Sequence, residues 1–285
     1  MARTTEMPIK KKRLSTGQII MVVLLTIFTL VWLVPMFGAL ITSVRTQDDI
    51  IANGYWSIPK VITLGNFGEA WELGNVSRYM VNSFIVTIPS LFGMMLLSSM
   101  AAFALARYKF RGNLALYFMF VGGTMLPYQI LLLPVFYLAQ ALHLRNQYSG
   151  LIIINTAFQL GFCTFVLRNF MRTIPGEILE AARMDGAGEF RLYWQIMMPL
   201  SLSALAALAT LEFTWVFNDY LWALVLITDG TKMPITAGLA SLQGQYNTDW
   251  PVLTAGALIA AIPTVLVFVF LQRYFIQGLT LGSGK

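Results

Sequence analysis

Two carboxylates lie where few are tolerated. Glu212 and Asp219 fall inside a mainly apolar stretch that runs from Leu200 to Ile227. Ionisable groups at membrane depth are costly and usually face a bundle interior or a watery cavity. Seven positions apart, the two are separated by about two helical turns and share one helix face. Asn218, Tyr220 and Trp222 stand beside them, and Asn155 and Gln159 occupy a second apolar stretch. Carboxylate, amide and hydroxyl groups beside aromatic rings are what a hydroxyl-rich ligand needs, so these seven residues are candidates for a substrate pathway. Two plainer roles stay open: Asn218-Asp219 also suits the cap of a broken helix near the outer surface, and Glu212 a bond to a neighbouring helix backbone.

Other chemistries are poorly supplied. A single cysteine, Cys163, permits no internal disulfide and no thiolate zinc cluster; in an apolar stretch it reads as a small core residue. The single histidine, His143, leaves no His-based metal site and reads as a solvated or interfacial residue of an outer loop. There is no Ser/His/Asp set and no Gly-x-x-x-x-Gly-Lys-Ser/Thr phosphate loop. The expectation is a chain that is not an enzyme, holds no cofactor or metal, and draws energy from elsewhere.

The elements that position these residues are read from composition. Of 285 residues, 57% are apolar and 11% charged, with mean hydropathy +0.69, whereas a soluble domain carries about 25% charged residues. The net charge of +6 does not point to nucleic acid, because the charges sit in short runs between long apolar stretches. Spanning the bilayer core takes about 20 mostly apolar residues, and six stretches qualify: 19–41, 79–106, 114–138, 148–166, 200–227 and 252–271. The first follows Lys10-Lys11-Lys12-Arg13 and holds Trp32 and Pro35 without a small-residue cleavage site, so it reads as a retained anchor rather than a signal peptide. An all-α membrane protein with six transmembrane helices follows.

Orientation comes from the basic residues, which favour cytoplasmic loops. Fourteen fall on one side of the six-span arrangement, among them Arg107, Lys109, Arg111, Arg168, Arg172, Arg183, Arg191 and Arg273; Arg45, Lys60, Arg78, Arg145 and Lys232 fall on the other. Both termini are then cytoplasmic. The division is a tail (1–18), the first span (19–41), an extracytoplasmic segment (42–78), a main domain (79–275) and a C-terminal tail (276–285). The segment 42–78 carries the turn signals Asn53-Gly54 and Ile58-Pro59, and 228–250 carries Asp229-Gly230, Gly244 and Asn247.

One cytoplasmic loop, 172–199, is written as two short helices. Pro175 suits a first helical turn, with Glu177 and Glu180 near its positive end. Ala181 and Ala182 are compact helix formers, and Gly186 supplies the freedom for a sharp reversal. A second helix follows with Phe190, Trp194 and Met197 as one apolar stripe, ended by Pro199. Such a helix–glycine–helix unit fits a cleft on another protein; packing against its own helix ends is the competing reading.

Glu180-Ala181-Ala182, then Gly186, Ile196 and Pro199 at their spacing, resembles the EAA loop of binding-protein-dependent ABC importer permeases. Asp185-Gly186-Ala187, the stretch Leu105 to Gly112, Met125-Leu126-Pro127 to Pro134, and Phe217-Asn218-Asp219-Tyr220-Leu221-Trp222 are similar to the carbohydrate branch of that family. In the last motif Phe217 replaces a tryptophan and Ala223 a proline. The segment before span two and the ending Gly278-Leu279-Thr280-Leu281-Gly282 look MalG-like. The resemblance implies a type I ABC importer permease fold, a MalF-like second permease, a cytoplasmic ATPase dimer holding ATP and Mg, and an extracytoplasmic sugar-binding protein, all at a bacterial or archaeal inner membrane. It also implies that Glu180, Ala181, Ala182, Asp185 and Gly186 couple to the ATPase. A self-contained secondary transporter of a small polar solute is the alternative.

Overall fold

The computed structural model describes residues 15–242 and 248–281, and every regular element among them is helical. The basic run Lys10 to Arg13, the turn residues Gly244 and Asn247, and Gly282 to Lys285 lie outside the described residues. Four helices are long and apolar enough to cross a bilayer: α1 (Thr16–Ser43), α4 (Val76–Arg107), α7 (Tyr148–Thr173) and the apolar part of α14 (Trp250–Leu281). Two bent pairs bring the number to six when each is taken as one span.

Helix starts follow local chemistry. Ser15 opens α1 with a reciprocal capping box: its hydroxyl accepts from the Gln18 amide at 3.3 Å, and the Gln18 carboxamide accepts from the Ser15 amide at 2.9 Å. Between α1 and α4 lie α2 (Gln47–Asn53) and α3 (Gly65–Leu73). They are organised by Arg45, whose side chain is fully buried outside the first span. Its Nε donates to Asp49 Oδ2 at 2.7 Å, and its two terminal nitrogens donate to the carbonyls of Gly54, Tyr55, Ser57 and Asp49 and to the Ser57 hydroxyl. Every guanidinium N–H direction is thereby used, and the Asp49 carboxyl is held below its ordinary value, first by the Arg45 hydrogen bond. Asn66 adds bonds to the carbonyls of Ser43 and Arg45.

The central packing is α4 against α7. Small residues permit it: Ser90, Ser98, Ser99 and Ala102 are buried, and an added Cβ at Gly93 would already touch Thr156 of α7 at 3.4 Å. Close seating of small residues is the expected driving geometry where lipid removes the hydrophobic force between helices.

The third span is not one straight helix. It divides into α5 (Asn113–Thr124), a 3-10 turn (Tyr128–Leu131) and α6 (Leu132–Ala141), with an 89° bend between the halves. Pro127 lacks an amide proton and restricts Leu126 before it, which breaks the ladder there. Nor is the fifth span continuous: α11 (Leu202–Phe217) stops at Asn218 and α12 (Leu221–Leu226) resumes after Asp219-Tyr220. At about 1.5 Å per residue, the 16 residues of α11 fall short of the bilayer core.

Candidate functional site

The predicted loop forms two helices around a reversal. α8 (Gly176–Met184) is capped by Asp185, and Gly186 follows at φ +80°. The Gly186 amide donates to the Arg183 carbonyl at 3.0 Å and the Ala187 amide to that of Ala182 at 2.9 Å. These bonds make a Schellman ending, in which the left-handed position favours glycine. Pro175 takes the N-cap position rather than the first turn. The second helix is α9 (Glu189–Arg191), a π-helical stretch (Leu192–Met197) and α10 (Met198–Leu200), which bends by 72° at Ser201 into α11. It runs one residue past Pro199.

The stripe predicted on that helix is corrected. Leu192, Tyr193 and Met197 are buried, while Phe190 is 77% exposed and Trp194 is exposed as well. The i→i+5 bonding of the π stretch widens the turn, so a period of 3.6 no longer puts Phe190, Trp194 and Met197 on one face.

The base of the elbow is anchored and its tip is bare. Tyr193 shares a 2.6 Å hydrogen bond with Ser99 of α4, and Phe103 packs its ring against both Tyr193 and Tyr108. The Tyr108 hydroxyl donates to Glu189, which also pairs with Arg183 at 3.3 Å. Burial and then the Glu189 carboxylate push Tyr108 up to about 12. Arg107 donates to the carbonyls of Met171 and Ile174 at the end of α7. Leu179 is buried against this base, whereas Glu180, Ala181, Asp185 and Gly186 are exposed and Ala182 is half-buried. Ile178, Met184, Phe190 and Trp194 add exposed apolar surface to the same unit. Thus the loop does pack on its own helix ends, but with a face that excludes the five predicted coupling residues, apart from half of Ala182.

Within the spans, a cavity of about 490 Å³ opens between α7, α11 and the two breaks. Asn155, Gln159, Glu212, Asp219 and Trp222 line it. Asn218 and Tyr220 do not; both are exposed, and the Asn218 amide instead bonds back to the Thr214 carbonyl at 2.8 Å. Asp219 also caps α12, accepting from the Trp222 amide at 3.2 Å. Capping and lining are therefore compatible in one residue. Glu212 is 2% exposed, and its Oε2 has no hydrogen-bond partner. Cys163, fully buried, sits within hydrogen-bond range of that carboxyl. Trp222 is flanked by Phe158 at 5.0 Å and Tyr128 at 6.3 Å between ring centres. Of the lining residues that sequence reasoning passed over, Trp215 lies one turn beyond Glu212 and Phe158 one turn beyond Asn155 on their helices; Tyr128 became visible only with the break.

A membrane bundle with broken helices around a cavity and a helical elbow at one end defines a transport subunit. The sequence matches the family described as binding-protein-dependent transport system inner membrane component over residues 94–281. A probable ABC transporter permease of Pyrococcus horikoshii is 36% identical over 87% of this chain and 91% of its own. The diacetylchitobiose uptake system permease of Streptomyces coelicolor is 32% identical over 91% of this chain and 86% of its own. In fold, the chain is similar to one in the crystal structure of a bacterial ABC transporter involved in alginate import, with TM-score 0.80 and 23% identity, covering 93% of this chain and all of that one. The chain belongs to the binding-protein-dependent transport system inner membrane component family. It is a membrane permease of an ABC importer, a non-enzymatic subunit, and the self-contained secondary transporter is set aside.

Proposed function

We propose that the chain imports a carbohydrate, and that its elbow at 172–199 is the contact with a separate ATPase. The observation that carries this is the division of the elbow. Its base is tied to α4 by Tyr108, Tyr193 and Ser99, while Glu180, Met184, Asp185, Gly186 and Phe190 stand exposed. Met184 is 88% exposed and Ile178, Phe190 and Trp194 are exposed on the same unit, and apolar surface grouped in this way supports a protein contact. In this reading Glu180 pairs with a basic group of the ATPase, Ala181 and Ala182 allow close seating, and Gly186 keeps the turn. A second permease completes the pathway, ATP and Mg reside on the ATPase dimer, and a sugar-binding protein docks on the outer face. The fourteen-to-five division of basic residues supports cytoplasmic termini and a cytoplasmic elbow.

The sugar class rests on the carbohydrate-branch motifs, on the diacetylchitobiose relative and on the aromatic and polar lining of the cavity. Closure of the ATPase dimer draws the elbow inward, and transport follows from the different affinity of the two states for ATP and substrate. Glu180→Lys should weaken co-purification of the ATPase with the permeases in detergent, while membrane insertion is kept. Undiminished co-purification would remove Glu180 from the contact.

A further inference from the structure

The cavity has a charge character that the sugar reading alone does not require. Among the described residues its lining holds two carboxyl groups, Glu212 and Asp219, and no lysine, arginine or histidine. Cavities of this size belong to the range that binds small molecules. The second observation is Glu212 itself: 98% of its surface is buried, it lines the cavity, and Oε2 is left without a partner. A buried polar atom without a partner calls for one. Helix breaks reach the same space from two spans, through Met125 to Pro127 and through Asp219. Irregular backbone at membrane depth is tolerated where it lines a cavity, and half-helix breaks of this kind mark substrate sites.

We propose that this cavity is a charge filter on the import route, passing neutral or cationic carbohydrate and excluding anionic sugars such as uronates and sugar phosphates, with the Glu212 and Asp219 carboxyl pair setting the exclusion. This rests on the carbohydrate reading above. The physics is direct. An anion brought beside Asp219 and the ionised form of Glu212 meets like charge, and no cation among the described lining residues offsets the desolvation it pays. A neutral sugar instead donates a hydroxyl to the free Glu212 Oε2, bonds to Asn155 and Gln159, and lays its C–H face on Trp222 or Trp215. At an effective dielectric constant near 20 and separations of about 6–8 Å, one like charge disfavours an anion by about 30- to 100-fold.

Thiol chemistry tests the filter on the assembled importer in nanodiscs. Gln159→Cys, placed one turn before position 163 in a Cys163→Ala background, is labelled with methanethiosulfonates bearing either a trimethylammonium or a sulfonate group. After normalisation to a free thiol, the cationic reagent should react at least about tenfold faster. Adding Glu212→Gln should cut that bias at least about threefold, and adding Asp219→Asn, which keeps the acceptor for the Trp222 amide, should bring it close to the free-thiol ratio. Maltotriose should slow labelling and trigalacturonate should not. Equal reactivity of the two reagents, a bias untouched by both substitutions, or equal protection by both sugars overturns the filter. Protection by neither sugar with the reagent bias intact supports the filter's electrostatics and sinks the carbohydrate reading instead.

Discussion

Replacing Gly186 with alanine isolates the contribution of one backbone conformation to coupling. The position has φ +80°, and a Cβ built there meets no atom within 4 Å. Crowding is therefore absent, and the cost is that of holding an L-residue left-handed, about 1–2 kcal/mol. The bonds at stake are those of the Gly186 and Ala187 amides to Arg183 and Ala182. Since the base of the elbow is fixed independently by Leu179, Leu192, Tyr193 and Met197, the strain is relieved by fraying the tip, not by unfolding the bundle. A cost of that size shifts the population of the intact elbow by roughly 5- to 30-fold. Binding-protein-stimulated ATP hydrolysis by the importer in proteoliposomes should fall by up to that factor, with membrane insertion unchanged. Gly188→Ala is the matched control: φ is −73°, nothing lies within 4 Å of its Cβ, and the change should cost no more than about 1 kcal/mol, the loss of a favourable N-cap residue. Gly186→Asn should retain more activity than Gly186→Ala, because asparagine tolerates the left-handed region. Wild-type hydrolysis in Gly186→Ala, or an equal loss in Gly188→Ala, would refute the reasoning.

Two further expectations concern stability. Gly238 lies in α13 (Ile235–Leu239), and a Cβ there would run into the Tyr79 ring of α4; Gly238→Ala should cost about 1–3 kcal/mol, lowering the thermal midpoint in nanodiscs, and Tyr79→Leu should recover part of the loss. Glu189 is held below its ordinary value, first by the Tyr108 hydroxyl and then by Arg183. Its folded value being the lower one, the stabilisation it gives is complete above the unfolded glutamate value and is lost as pH falls through the folded value. Amide exchange over 183–193, corrected for intrinsic rates, should therefore rise below about pH 4, and Glu189→Gln should abolish that pH dependence.

Much of this architecture was legible because membrane helices announce themselves by length and composition. Four of the six stretches reappear as single long helices and the third as a bent pair, while the fifth is broken at Asn218; Glu212 and Asp219, placed on one face by their spacing alone, line the same cavity. What was not legible shares one physical feature: a local departure from the regular helix. The third span was read as one stretch, 114–138, but Pro127 divides it, and hydropathy is blind to a bend. The π stretch at Leu192–Met197 turned an apparent stripe into two faces, since periodicity arguments presuppose one period. Asn218 and Tyr220 were grouped with Asp219 by proximity along the chain, yet the break at the end of α11 sends the neighbours away from the cavity. Arg45 counted as one outer charge among five; its role as a buried hub depends on carbonyls nine to twelve residues away, which no spacing rule connects.

Those departures also bear on how the proposed coupling reaches the cavity. The second arm of the elbow is continuous with α11: Leu200 ends one helix, Ser201 makes the bend and Leu202 begins the next. Glu212 lies ten residues further on, about 15 Å along the helix. A rotation imposed on the elbow therefore acts on α11 through covalent backbone, while the Ser99–Tyr193 and Tyr108–Glu189 bonds link the same movement to α4. The two outlets differ in stiffness. Toward α4 the link is a pair of side-chain bonds and the edge-on and tilted ring contacts of Phe103, which can part at modest cost; toward α11 it is main chain. The Glu212 wall should thus follow the elbow more closely than the α4–α7 core does, and the break at Asn218, beyond Glu212, is where that rotation is absorbed, as expected of hinges at helix ends.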